Sequence, residues 1–421
     1  MRLYLKKYKS YFEEFTSYGV SQFLVMLLPI IILPILTSSI SQDDYADYSI
    51  YKSLIVVATP LIGMGCSTYL LKYYYIDLKD SFMSFFTVVI SFSFIVSIFL
   101  LIALYFLDNI VLSILKLDNF LIILFVIINT FLLSFYTLIL TFCRAKSDKI
   151  SFLKLNIIVF IFTITPIIIF YYYQLLSLKA ILVIHSFSLF IAVNYGIFKF
   201  FNYKTITFDK KLLFKVLRFS LPLILYSILA QIYLQSDKFI INSYLTKSDL
   251  AVYYAGFQVC FGLAAFGTVI DLIWSPYVFK SMANETKIPS HLFKSFFFIA
   301  IFTLFVSIIY FFLMPFFQWI LLPEKYYMQW QLYLWFIVGL FCKILYTLIN
   351  PLISVFNKNS YFVYITLITG VFSISLNLYL IKYGLIFAAI VFCISWFIQL
   401  TLLIISVSYA NKNLSILQSS S

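Results

Sequence analysis

Runs of about 20 mainly apolar residues recur along the whole length of this 421-residue chain, and they decide its fold class before any motif is read. In hydrocarbon only helices and closed barrels satisfy every backbone N–H and C=O, and runs of this length suit a helix rather than a barrel strand. Composition agrees. The chain is 63% hydrophobic and only 11% charged, against about 25% charged in soluble domains. That polar fraction cannot cover a water-soluble core. A soluble enzyme, a secreted disulfide scaffold and a disordered chain are therefore excluded. The expectation is an all-α polytopic membrane protein with 12 transmembrane helices. They fall near 18–37, 45–70, 82–107, 118–143, 151–173, 178–200, 219–244, 250–276, 293–315, 331–356, 361–381 and 384–409.

The basic residues orient these spans, because Lys and Arg accumulate on the cytoplasmic side. With the N-terminus inside, the outer loops hold only Lys116, Lys179, Lys247, Lys325 and Lys382, and Lys52, Lys238 and Lys343 lie within spans. The remaining twenty-one of 29 basic residues are cytoplasmic. Both termini are thus expected inside. The net charge of +13 then needs no nucleic-acid partner. Glu13 and Glu14 interrupt the start of the first apolar run, so a cleavable signal is not expected there. Met1, Tyr4, Leu5, Tyr8, Tyr11, Phe12 and Phe15 share one helical face opposite Lys6, Lys7 and Lys9. Residues 1–17 therefore read as an amphipathic interfacial helix.

The longest hydrophilic connection lies at the midpoint, over 201–215. The expected organisation is a six-helix lobe over 18–200, a cytoplasmic linker and the start of span 7 over 201–218, a second six-helix lobe over 219–409, and a cytoplasmic tail over 410–421. The lobes open alike. Leu36-Thr37 precedes Asp44-Tyr45-Ala46-Asp47-Tyr48, and Leu245-Thr246 precedes Asp249-Leu250-Ala251-Val252-Tyr253. Gln22 and Gln231 share the register of the Leu-Thr pairs. Six spans per repeat is an even number, so the two lobes are parallel repeats related by a pseudo-two-fold axis along the membrane normal. Asp44 and Asp249 sit where an outer loop enters a helix, which reads as helix capping. The five Cys lie in apolar stretches without a CxxC pair and read as core hydrophobes. The Phe and Tyr excess reads as a compositional bias.

The segments QFLVMLLPIIILP (22–34), LTSSISQDDYADYSIY and QIYLQSDKFIINSYLTKSDLAVYYAGFQV resemble the Wzx-type polysaccharide flippases of the multidrug/oligosaccharidyl-lipid/polysaccharide exporter superfamily. The twelve-span layout extends that resemblance over essentially the whole chain. It implies two lobes around a cavity lined mainly by spans 1, 2, 7 and 8. It also implies a cargo of undecaprenyl-diphosphate-linked oligosaccharide, an O-antigen or capsule repeat unit, carried from the cytoplasmic to the periplasmic leaflet of the bacterial inner membrane. The partners implied are membrane lipids and the polymerase and chain-length proteins of the same pathway.

Charges at membrane depth cost about 2.5–3.5 kcal/mol on insertion scales and mark wet cavities or buried pairs. Lys52 lies about 10 Å below the outer end of span 2, on a face with Tyr45, Tyr48, Ser49, Thr59 and Gly63. In span 7, Ser227, Gln231, Gln235, Lys238 and Asn242 follow a 4-4-3-4 spacing, one continuous polar face. Asp237 points about 100° away from Lys238, so a partner on another helix is expected. Lys343 in span 10 continues as Thr347, Asn350, Ser354 and Asn357. Asp271 lies near the inner end of span 8, beside Ser275.

The candidate cavity residues are therefore Lys52, Lys238, Lys343, Gln22, Gln231, Gln235, Asn242 and Tyr48, the lysines opposing a diphosphate and the amides meeting sugar hydroxyls. Asp237 and Asp271 are candidates for ion coupling or charge pairing. His185 reads as a satisfied packing residue. No catalytic group, metal cluster or cofactor motif is present in the sequence, and coupling to a proton or sodium gradient is the energy source to test. The alternatives are a cation-coupled multidrug exporter of the same superfamily and, less favoured, an O-antigen polymerase. An exporter of cationic drugs fits poorly with Lys52 and with first-lobe carboxylates confined to ends and loops. A polymerase lacks its large outer loop here.

The topology is testable with reporter fusions. Fusions after Lys146, Phe208, Glu285 and Lys412 should read cytoplasmic, and those after Gln42, Lys116, Lys247 and Lys325 periplasmic. A periplasmic reading at Phe208 would break the two-lobe organisation.

Overall fold

In a computed structural model of the chain, the residues described are 25, 27–63, 66, 69–70, 82–117, 119–200, 210–282, 288–356 and 360–419. The expected interfacial helix, Gln22, Asn357 and most of the central linker lie outside them. Among the described residues the secondary structure is helical, without strands. The helices are α1 (Leu27–Ser39), α2 (Gln42–Gly63), α3 (Phe82–Phe106), α4 (Asp108–Leu115), α5 (Phe120–Ala145), α6 (Lys149–Tyr172), α7 (Leu178–Phe200), α8 (Lys210–Tyr244), α9 (Lys247–Met282), α10 (Ser290–Leu321), α11 (Trp330–Val355), α12 (Ser360–Leu380) and α13 (Leu385–Ser419). Each of the twelve expected apolar segments falls on one of these.

Nine of the described helices are long and apolar enough to span a bilayer, and α8, bent by 43° between Leu221 and Ile224, makes a tenth. Pro222 falls at that break in the sequence, and a proline supplies no backbone donor to a helix. The segment α1 is shorter than a full span within its described part. Helix α2 is less apolar because Asp43, Asp44, Asp47 and Lys52 crowd its first half. The short helix α4 was unforeseen. It ends at Lys116 with φ 50°, a left-handed stop.

The chain forms two compact units, residues 1–243 and 244–421. Packing within each follows the same plan. In the first unit α5 is the hub, packing on α2, α3, α6 and α7, and α6 also packs on α7. In the second, α11 is the hub, packing on α9, α10 and α13, and α12 packs on α13. The sequence repeat reappears at the level of atoms. The Ser41 hydroxyl donates to the Asp44 carboxylate at 2.9 Å and accepts from the Asp44 amide at 3.0 Å. Thr246 and Asp249 do the same at 2.6 and 3.1 Å. These are two capping boxes closing the first turns of α2 and α9, so Asp44 and Asp249 act as caps.

Small residues let helices close in, as expected without a hydrophobic drive between spans. A Cβ on Gly339 of α11 would lie 3.0 Å from the Cα of Cys393 on α13. All five cysteines are buried and unbridged. Much of the Phe content faces outward. Helix α10 is mostly uncovered, with Phe293, Phe298, Phe305 and Phe312 each at least 60% exposed.

On the expected cytoplasmic side, Asp148 caps α6 by accepting the Ser151 amide at 3.0 Å. Its carboxylate also accepts from the Ser151 hydroxyl and lies 3.5 Å from the Lys199 ammonium at the end of α7. Partial burial raises the Asp148 pKa, but the Ser151 bonds and the Lys199 charge together outweigh it and hold the carboxyl below its ordinary range. A depressed folded-state pKa gives stability that is present above the unfolded value, near 4, and lost as pH falls through the folded one. Asp148→Ala should therefore lower thermal stability in detergent at pH 7, by about 1 kcal/mol for the cap. The gap to the parent protein should narrow towards pH 3.

Candidate functional site

The expected polar face of α8 is polar in the structure and meets α2. At its centre the Gln235 side-chain carbonyl accepts two bonds, from the Lys238 ammonium at 2.6 Å and from the Ser53 hydroxyl of α2 at 3.2 Å. Ser53 follows Lys52, so Gln235 draws the segments carrying Lys52 and Lys238 together within the first unit. The 4-residue and 3-residue spacings put Gln235 and Lys238 on one face of α8, and the first half of α2 offers a matching polar face.

Lys238 is buried, 4% exposed, and its ammonium lies 3.7 Å from the Asp237 carboxylate. This corrects the reading that Asp237 and Lys238 do not face each other within the helix. Their Cβ directions diverge, but the four-carbon lysine stem folds back and brings the ammonium to its neighbour. Asp237 thus finds a cation on its own helix. A pair at this depth is stable only while both members remain, because a single buried charge costs several kcal/mol.

Lys52 is held differently. Its ammonium lies 5.3 Å above the Tyr48 ring and 5.7 Å above the Tyr51 ring, and the residue is half-buried. No carboxylate pairs with it among the described residues. Aromatic faces attract a cation through their quadrupoles without neutralising it. Tyr48 is also held by His185 of α7. Its hydroxyl lies 3.2 Å from His185 Nε2, and the two rings stack at 6.0 Å. Sequence reasoning took His185 as a satisfied packing residue, and it is buried and hydrogen-bonded. Its role as the support of Tyr48 was invisible, because the two residues lie 137 positions apart.

The other sequence candidates distribute as follows. Gln231 lies half-buried on the same α8 face. Asn242 is buried, and its amide donates to the Leu115 carbonyl at the end of α4. Lys116 reaches the Ser243 carbonyl at 2.9 Å. Asn242 and Lys116 thus tie the connection between α4 and α5 to α8. Lys343 and Asp271 belong to the second unit. Lys343 sits 4.9 Å from the Phe261 ring and 5.5 Å from the Trp396 ring. Asp271 accepts the Ser275 hydroxyl at 2.6 Å. Gln22 is outside the described residues. Among those residues no group of three His, Cys, Asp or Glu side chains could hold a metal.

The fold is one that the chain shares with solved membrane transporters. The chain is similar to a lipid II flippase MurJ in an inward closed conformation, with a TM-score of 0.74 and 16% identity over 95% of this chain and 90% of that one. It is also similar to a multidrug resistance MATE family transporter of the MOP superfamily in an inward-facing conformation, with a TM-score of 0.69 and 15% identity over 94% and 96%. An outward-facing conformation of a MATE family transporter matches with a TM-score of 0.59 and 11% identity over 96% of each chain. No curated protein sequence matches the chain. Residues 12–270 match the model of the polysaccharide biosynthesis protein family, and the chain belongs to that family.

The Asp237–Lys238 pair gives a stability prediction. Asp237→Asn should destabilise the detergent-solubilised protein by about 3 kcal/mol, because Lys238 is left buried without its carboxylate. The double variant Asp237→Asn with Lys238→Met should recover most of that loss. Thermal denaturation of both decides it, and equal destabilisation would show that the two charges are not coupled.

Proposed function

We propose that this protein is a flippase for a polyprenyl-diphosphate-linked oligosaccharide. In this reading the cargo is an undecaprenyl-diphosphate-linked repeat unit of O-antigen or capsule. It moves from the cytoplasmic to the periplasmic leaflet of a bacterial inner membrane, with both termini cytoplasmic. Membership in the polysaccharide biosynthesis family supports the cargo class, and the transporter fold supports the activity. The single observation that carries the site is Lys52. It is a cation at membrane depth, held on aromatic rings and facing no carboxylate among the described residues.

A diphosphate needs such a charge. It cannot enter hydrocarbon with its water, and the protein must substitute the lost hydration. Lys52 supplies a counter-charge that is already partly desolvated, and Tyr48 with His185 holds it in place. Gln231 and Gln235 offer amides to sugar hydroxyls on the adjoining face. The lipid tail needs no polar route and stays in the bilayer. Movement follows alternating access of the two repeats, drawing on a proton or sodium gradient, and the product passes to the polymerase and chain-length proteins of the same pathway.

The reading predicts that Lys52→Ala abolishes surface glycan in a deletion strain, at least tenfold below the parent, with normal protein levels in the membrane. Lys52→Arg keeps the charge but not its compact geometry and should be milder. Full complementation by Lys52→Ala would refute the anion site. Drug resistance without any effect on glycan would favour the multidrug exporter instead.

A further inference from the structure

The first unit holds a second polar feature, deeper in the membrane than Lys52 and away from its aromatic cradle. A cavity of about 160 Å³ lies among α2, α3, α5 and α8. Its polar lining is made of hydroxyls from four helices, Thr59, Ser93, Ser134, Thr137 and Ser227, and among the described residues no charged side chain borders it. Four of these hydroxyls have already spent their proton on a backbone carbonyl. Thr59 donates to Ile55 at 2.7 Å, Ser93 to Ile62 at 2.7 Å, Ser134 to Thr130 at 2.8 Å and Thr137 to Ser134 at 2.9 Å.

A hydroxyl has one proton and two lone pairs. Once the proton is committed, only lone pairs remain to face the cavity, so this wall accepts hydrogen bonds and hardly donates any. That chemistry turns away phosphate and carboxylate, which bring only acceptors and negative charge. It suits a neutral ligand rich in O–H donors. The apolar remainder of the lining, including Val89, Phe135 and Leu138, suits the C–H faces of a ring. A water needs about 10–15 Å³ of such space, so the cavity has room for several waters or for one sugar ring.

The position fits too. Thr59 lies seven residues beyond Lys52 on α2, about 10 Å along the helix axis. Ser227 is the inner end of the α8 face that continues through Gln231 and Gln235 to Lys238. We infer that this cavity is a subsite for a neutral sugar ring, binding its hydroxyls through the lone pairs of Thr59, Ser93, Ser134 and Thr137. The inference rests on the flippase reading and deepens it: the anion is met by Lys52, and a sugar is met by an uncharged acceptor wall further along the same helices.

Free hexoses test it on the full-length protein in detergent. Saturation-transfer difference NMR is recorded with glucose, galactose, mannose and N-acetylglucosamine. At least one should show transfer to its ring protons. The signal should fall about fivefold in Thr137→Val, which keeps shape while removing lone pairs, and again in the independent variant Thr59→Val. Absence of transfer from all four sugars, or equal transfer in parent and both variants, would overturn the subsite and leave a water-filled cavity only. Lys52→Ala separates the two readings. Loss of glycan export with hexose transfer retained supports both. Normal export with Thr137-dependent transfer sinks the anion site and leaves the sugar subsite standing.

Discussion

Everything in this structure follows from the absence of water in the bilayer core. Each polar group placed there must find a partner inside the protein, and each charge must be paired, delocalised over a polarizable face or left beside a wet space. Hydroxyls solve the problem locally. Thr37, Thr130, Thr303, Ser307 and Thr369 all donate to the carbonyl four residues back in their own helices. They cost the spans little and leave lone pairs available wherever helices part.

Charges cannot be absorbed in that way, and the two lysines of the first unit show two solutions. Lys238 is neutralised by Asp237 and anchored to Gln235, so it is part of the framework. Lys52 is delocalised over two tyrosines and keeps its charge available. Gln235 joins these arrangements through Ser53, at the contact between α2 and α8. The capping boxes at Ser41–Asp44 and Thr246–Asp249 start α2 and α9 at equivalent points of the repeat. They thereby fix the register of the polar residues that follow in α2.

Much of this was legible in the sequence, and the reasons are physical. Hydrophobic runs report directly on insertion, so the apolar helices and the class were readable. The face of α8 was readable because its 3-residue and 4-residue spacing is a property of one helix. The Asp–Lys pairing was misread because Cβ directions say little about where a long flexible side chain ends. The task of Asn242 was hidden because α4, its partner, is a short helix within a loop. The His185–Tyr48 contact and the hydroxyl-lined cavity depend on residues from different helices, and no local period can reveal them.

The central claim is that Lys52 carries the counter-charge for a diphosphate crossing the membrane. The most direct measurement is translocation of a labelled undecaprenyl-diphosphate oligosaccharide in proteoliposomes of purified protein, read as the fraction becoming accessible in the opposite leaflet. The parent protein should move the lipid, Lys52→Ala at least tenfold more slowly, and Lys52→Arg at an intermediate rate. Equal rates for the parent and Lys52→Ala, at equal reconstitution, would contradict the account.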